Sequence, residues 1–259
     1  MFRVYAIRYA QRDGRRGQHF HGHDERSDEV HPTAYFVWLA VSTEHTVVID
    51  AGIHPDRADR LTGLDYLASP TRTLADLGVP TGSVDHVVLT HLHYDHTGTA
   101  HEFETARYVL QRSELDYWTG PWAERIGRER WLVDEDDLQR LRAAAAGGRV
   151  RIVDGDADIV PGLSVHHVGG HTAGMQVVRV RTARGYVVLA SDASHFYENI
   201  EQDRPAAILH CMAGVYRAFD RITELAGGPD LIVPGHDPEV LARHPSPSAA
   251  LTGRVALIG

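Results

Sequence analysis

Apolar residues fall along this chain in short blocks, most of them alternating or continuous over four to eight positions, and nearly every block runs into glycine, aspartate or histidine. Phe2 to Tyr9 alternates like a strand, and Tyr35 to Val41 and Thr46 to Asp50, split by Ser42, Thr43 and Glu44, predict a hairpin. Val84 to Leu89, Arg107 to Gln111, Val150 to Val153, Leu163 to Val168, Met175 to Thr182, Tyr186 to Ser191 and Leu231 to Val233 read as further strands. Helical patterns occupy parts of Arg57 to Leu77, begin again at Ser113, and fill Asp134 to Ala146, where acidic residues crowd the first turn and Gly147-Gly148 stops the helix. Pro205 to Leu225 is the longest helical segment, closed by Gly227-Gly228.

Two groups of strands, each flanked by helices and joined without a linker or composition break, predict an α/β protein. One domain over residues 1–259 is expected, with two sheets packed between helical layers. The polar stretch Gln11 to Pro32 interrupts the pattern and predicts a surface loop that either arches over the site or joins a dimer contact. Its histidines, His19, His21, His23 and His31, lie among charges that favour a solvated loop. Trp118, Trp122 and Trp131 sit in an irregular region and either wall a pocket or pack in the core, with core packing favoured.

Composition changes this picture mainly by exclusion. The 43% apolar and 24% charged fractions are those of an ordinary globular protein, and the net charge of -9 comes without a basic block. Nucleic acid is therefore not expected as a partner, since phosphate contacts need a concentrated basic face. The one cysteine, Cys211, reads as a small apolar residue inside a helix, rules out an intrachain disulfide and fits a reducing compartment. The N-terminal residues lack the apolar core of a signal peptide, and no segment approaches a membrane span, so a cytoplasmic location is expected.

The chemistry concentrates in Thr90-His91-Leu92-His93-Tyr94-Asp95-His96-Thr97-Gly98, which packs three imidazoles and a carboxylate into six residues at the end of an apolar strand. Side chains two apart, His91 and His93, can face one ion, while the next pair, Asp95 and His96, can face a second. Imidazole with carboxylate suits zinc or another divalent first-row ion. His171 after Val168-Gly169-Gly170, Asp192 after Val188 to Ser191, and His236 after Val233-Pro234-Gly235 repeat the design of a single donor at a strand end, so the four loops are expected to converge at one edge. Asp50 also ends an apolar strand. A buried carboxylate is costly unless paired, so it either orients the ligand loop or caps a turn.

These blocks resemble the metallo-β-lactamase-fold hydrolases, and within them the N-acyl homoserine lactone lactonases. The match rests on Asp50-Ala51-Gly52, HLHYDHTG, GGHTAG around His171, SDAS around Asp192 and PGHD around His236, in family order across nearly the whole chain. The resemblance implies an αββα sandwich of two mixed sheets with a dinuclear site at the sheet edges. It also implies that His91, His93 and His171 hold one metal, that Asp95, His96 and His236 hold the other, and that Asp192 bridges them. Two divalent ions follow, Zn2+ foremost, with Mn, Fe or Co as alternatives. A water shared between two cations becomes acidic enough to open the ring of a lactone as hydroxide at neutral pH.

The family places a tyrosine three residues beyond the bridging aspartate, and this chain has His195 there, with Tyr197 nearby. His195 is expected to donate a hydrogen bond to the carbonyl oxygen, joining Asp95 and Asp192 as a catalytic candidate. The substitution opens alternatives to an acyl homoserine lactone: a compact or aromatic lactone such as 4-pyridoxolactone, or a glyoxalase II-like thioester. Outside hydrolysis, the same fold hosts iron-dependent oxidoreductases. A small lactone or ester is the expected partner, with a homodimer as a further possibility.

Overall fold

A computed structural model describes all 259 residues. Its strands are β1 (Arg3–Arg15), β2 (Val30–Val41), β3 (Thr46–Ile49), β4 (Asp65–Tyr66), β5 (His86–Val88), β6 (Arg107–Gln111), β7 (Val150–Val153), β8 (Ala157–Val160), β9 (Leu163–His167), β10 (Gln176–Thr182), β11 (Gly185–Ser191), β12 (Ile232–Pro234) and β13 (Val255–Leu257). They form two mixed sheets, one in the order β13-β1-β2-β3-β5-β6-β7 with β4 added to β1, the other in the order β12-β11-β10-β9-β8. β3, β5, β6 and β7 run parallel, as do β11 and β12, while the other neighbours are antiparallel.

The period of two along β2 explains the layering. Phe36, Trp38 and Ala40 point into a core shared with Val165, Val178, Val180 and Leu189 of the second sheet. Tyr35, Val37 and Leu39 point the other way, onto Leu74, Trp118, Leu138 and Leu141 of the outer helices. Because both faces are covered, β2 is an almost unbroken apolar run from Ala34 to Ala40, all buried. On the far side, Val177, Val188 and Ala190 pack against Ala218, Ile222 and Leu225 of the helix Met212–Leu225. The result is helix, sheet, sheet, helix: the αββα sandwich.

Several expectations are corrected. Residues 11–32 are a loop only in their middle part: β1 continues to Arg15 and pairs with β2 out to Arg15↔Val30, past a bulge between Arg8 and Ala10. Backbone pairing holds this extension despite its polar side chains, and residues 16–29 connect the two strands. There Arg16 is buried in a four-charge network with Asp24, Glu198 and Arg204, at 2.7 to 3.0 Å. His19 is buried too and shares a hydrogen bond with Thr33 (3.2 Å), and burial pushes its pKa down to about 3.

The long helix begins at Met212, not Pro205, because the amides of His210 and Cys211 turn to the carbonyl of Gly170 instead of an upstream helical partner. Cys211 is therefore the extended residue before the helix. β8 and β13 have no counterpart among the expected strands, and β4 interrupts the helical segment Arg57 to Leu77. Of Trp118, Trp122 and Trp131, the first alone is a core residue, whereas the other two are 63% and 59% exposed.

Candidate metal centre

The loops leaving β5, β9, β11 and β12 meet at one edge of the two sheets. His91, His93, His171 and Asp192 place donor atoms within 4.8 Å of one another, as do Asp95, His96 and His236. Asp192 stands between the two groups. Its Oδ2 lies 3.4 Å from His171 Nε2 and 3.9 Å from His91 Nε2, and its Oδ1 lies 3.1 Å from His236 Nε2 and 3.3 Å from His96 Nε2. Asp95 Oδ2 is 3.6 Å from His96 Nε2 and 3.8 Å from His236 Nε2. Donors about 2.0 to 2.1 Å from a tetrahedral ion stand about 3.4 Å apart, so these spacings suit a shared cation better than hydrogen bonds.

Four of the five rings have the nitrogen that faces away from the centre hydrogen-bonded. His171 Nδ1 donates to the Ile208 carbonyl and His236 Nδ1 to that of Ala34, both at 2.9 Å. His96 Nδ1 donates to Asp50 Oδ2 at 2.8 Å, and His91 Nδ1 to Thr90 Oγ1 at 3.1 Å. Each bond fixes the tautomer that turns an Nε2 lone pair inward. His93 instead turns Nδ1 inward, 3.1 Å from His171 Nε2. The Nε2 atoms of His91 and His96 and Oδ1 of Asp192 are buried without any hydrogen-bond partner. Orphaned acceptors at the meeting point of seven donors fit a divalent metal.

Charge supports the fit. Burial and neighbouring imidazoles hold His91 and His93 far below the usual imidazole range, and burial takes His171 to about 3, so these rings stay neutral as ligands must. At His96 and His236 burial also opposes charge, but the carboxylates around them outweigh it and raise both pKa values. That field favours a cation among them.

Asp50 lies beneath this arrangement, fully buried. Its Oδ1 accepts from the Thr90 amide (2.8 Å), and its Oδ2 accepts from Thr90 Oγ1 (2.9 Å), Ser191 Oγ (3.0 Å) and His96 Nδ1. Thr90 and Ser191 immediately precede His91 and Asp192, so one carboxylate ties together loops from both sheets. Gly235 allows the third loop to close on them, because a Cβ there would lie 2.7 Å from the Ser191 carbonyl and 2.8 Å from Asp192 Oδ1.

Glu114 has a similar position on the other flank, and nothing in the sequence marked it. It is fully buried and accepts from the Leu92 amide (3.0 Å), Trp118 Nε1 (2.9 Å) and the Gly174 amide (2.8 Å), tying the loop of His91 and His93 to that of His171. Glu114→Gln leaves one of those donors facing an amide NH2. Metal affinity at the first group should fall by about tenfold to a hundredfold, the usual effect of disturbing a ligand's support. Chelator competition would read it, and affinity equal to wild type would show that Glu114 serves packing alone.

The centre opens into a cleft lined by Arg12, His19, Thr33, Tyr35, Tyr94, Trp131, Leu132, Phe196 and Ile208 besides the donors. Arg12 and Tyr35 carried no sequence signal: one sits in a polar stretch and the other in an apolar run. His195 borders the cleft with Nε2 2.9 Å from Asp192 Oδ2. Tyr197 does not follow it, because a helix starts there and turns the phenol into the core between the sheets.

The chain belongs to the metallo-beta-lactamase superfamily, whose family model matches residues 28–236. Among characterised relatives, an N-acyl homoserine lactonase of Bacillus sp is 31% identical over 123 residues, 47% of this chain and 43% of that protein. The N-acyl homoserine lactonase AttM of Agrobacterium fabrum is 29% identical over 168 residues, 64% of this chain and 63% of AttM. The aligned region thus spans less than two thirds of either relative. Among solved structures, a quorum-quenching N-acyl homoserine lactone lactonase superposes with TM-score 0.73 at 19% identity, over 91% of this chain and 92% of that one. AidC, a dizinc quorum-quenching lactonase, gives 0.71 at 15% identity over 92% and 88%. At these identities the superpositions establish the fold.

Proposed function

We propose that this protein is a dinuclear-metal hydrolase that opens the ring of a lactone. The observation that carries the reading is Asp192, one buried carboxylate with an oxygen turned to each of two donor groups, at the floor of an open cleft. His91, His93 and His171 would hold one ion and Asp95, His96 and His236 the other, with zinc favoured by the imidazole-rich set. Bound there, the ions would polarise an ester carbonyl and make a shared water acidic at neutral pH. The lactonase activity of the relatives supports the choice of a cyclic ester.

The remaining work falls to residues of the chain. Asp50, Thr90 and Ser191 hold the loops of His91, His96 and Asp192 in register. Trp131, Leu132, Phe196 and Ile208 give the cleft an apolar wall against which the body of the substrate would pack. His195 Nε2 is hydrogen-bonded to Asp192 Oδ2; with that oxygen held by an ion, it would donate instead to the carbonyl oxygen as negative charge develops there.

The test is turnover of a panel of acyl homoserine lactones, compact aromatic lactones and thioesters by metal-replete protein, with elemental analysis alongside. Two ions per chain and preferential lactone turnover are expected. One ion or none after reconstitution, or preference for thioesters, would refute the reading. His195→Ala should lower kcat by about tenfold to a thousandfold with metal content unchanged. Loss of metal in that variant would make His195 a support of Asp192 instead.

A further inference from the structure

The cleft contains one charge that the metal chemistry does not use. Arg12 stands on β1 directly across from Thr33 of β2, and the two line the cleft with Tyr35. Its position follows from the strand extension that replaces the expected loop. Arg16, four residues on, is buried against two carboxylates, whereas Arg12 is exposed and has no ion-pair or hydrogen-bond partner. The acidic side chains lining the cleft, Asp95 and Asp192, are both turned to imidazoles. Arg12's charge also reaches the hydroxyls of Tyr35 and Tyr94, where it opposes the upward push of burial on their pKa values.

A guanidinium presents a planar fork of donors that matches a carboxylate. Here that fork lies at one side of a cleft whose floor is the donor centre and whose lining includes the apolar Trp131, Leu132, Phe196 and Ile208. We infer that Arg12 is a specificity residue that selects substrates bearing a carboxylate remote from the ester that is cleaved. The inference rests on the hydrolase reading only for the word substrate, since the recognition of a carboxylate by Arg12 is testable without turnover. A neutral lactone would leave this guanidinium in water and gain nothing from it.

The experiment compares glutarate with butyrate, inert ligands that differ by one carboxylate, in calorimetric titrations of metal-replete protein. Wild type should bind glutarate about fivefold to tenfold more tightly than butyrate at low salt. The gap should shrink as ionic strength rises, because an exposed pair is screened. Arg12→Gln should erase the preference and Arg12→Lys retain part of it, with circular dichroism confirming that both variants fold. In parallel, kcat/KM for a γ-lactone with a carboxylate substituent, relative to that for the unsubstituted ring, should fall by the same factor in Arg12→Gln, through KM.

A glutarate preference that is absent in wild type, or that survives Arg12→Gln unchanged, overturns the assignment. So does an equal loss for both ligands. If no lactone or ester is turned over while the glutarate difference holds, the hydrolase reading fails and the role of Arg12 stands. Lactone turnover without that difference keeps the hydrolase reading and removes the role of Arg12.

Discussion

Asp192→Asn is expected to lower turnover by about a thousandfold or more while the chain keeps its fold. The substitution preserves volume, so the packing around β11 has no reason to change. It removes the negative charge that stands between two groups of imidazoles, and it replaces one acceptor oxygen with an NH2. Whichever way the amide turns, that NH2 meets either the pair His96 and His236 or the pair His91 and His171. An amide nitrogen cannot ligate a cation, so one of the two ions would lose a donor and the pair its common anchor. Removing Lewis-acid stabilisation of several kcal/mol corresponds to three or more orders of magnitude in rate. Turnover near wild type with both ions still bound would eliminate the bridging role.

Asp50→Ala is expected to be the most destabilising single change near the site. The carboxylate is fully buried and accepts four hydrogen bonds, two from Thr90, one from Ser191 and one from His96. Truncation leaves those donors without an acceptor in a dry interior, at a cost of about 3 to 5 kcal/mol. Residue 50 also has φ +59°, a left-handed conformation that aspartate tolerates better than alanine. About 3 kcal/mol in a chain of this size lowers Tm by about 6 to 12 °C. Thermal unfolding in chelator measures this without a contribution from bound metal. Asp50→Asn keeps the shape and should lose less stability, while metal affinity still falls about tenfold to a hundredfold. A Tm for the alanine variant within about 2 °C of wild type would refute the account.

Much of the centre was legible in the sequence because each donor ends a short apolar strand, and strand ends in a layered α/β fold gather at an edge. Asp50 was legible for the same reason, although its partners Thr90 and Ser191 were visible only as neighbours of ligand candidates. What could not be read depends on pairing between distant segments. The polar residues from Gln11 to Arg15 look like loop, and become strand only because β2 continues far enough to pair with them. Three residues, Val255–Leu257, are too few to show a period, yet they form the edge strand beside β1. Pro205 to Cys211 shared its composition with the helix that follows, and the competing acceptor, Gly170, lies about forty residues earlier. Glu114 gathers amides from positions 92 and 174, an association that no local pattern encodes.

The two sheets divide the donors between them: His91, His93, Asp95 and His96 follow β5 of one, while His171, Asp192 and His236 follow β9, β11 and β12 of the other. Neither donor group can be completed by a single sheet. On a ribosome, where the chain emerges N-terminal end first, the residues of HLHYDH would be exposed long before Asp192 and His236 exist to meet them. A complete donor group would therefore form only after both sheets are made, and a partly made chain would offer a passing ion only fragments of the site.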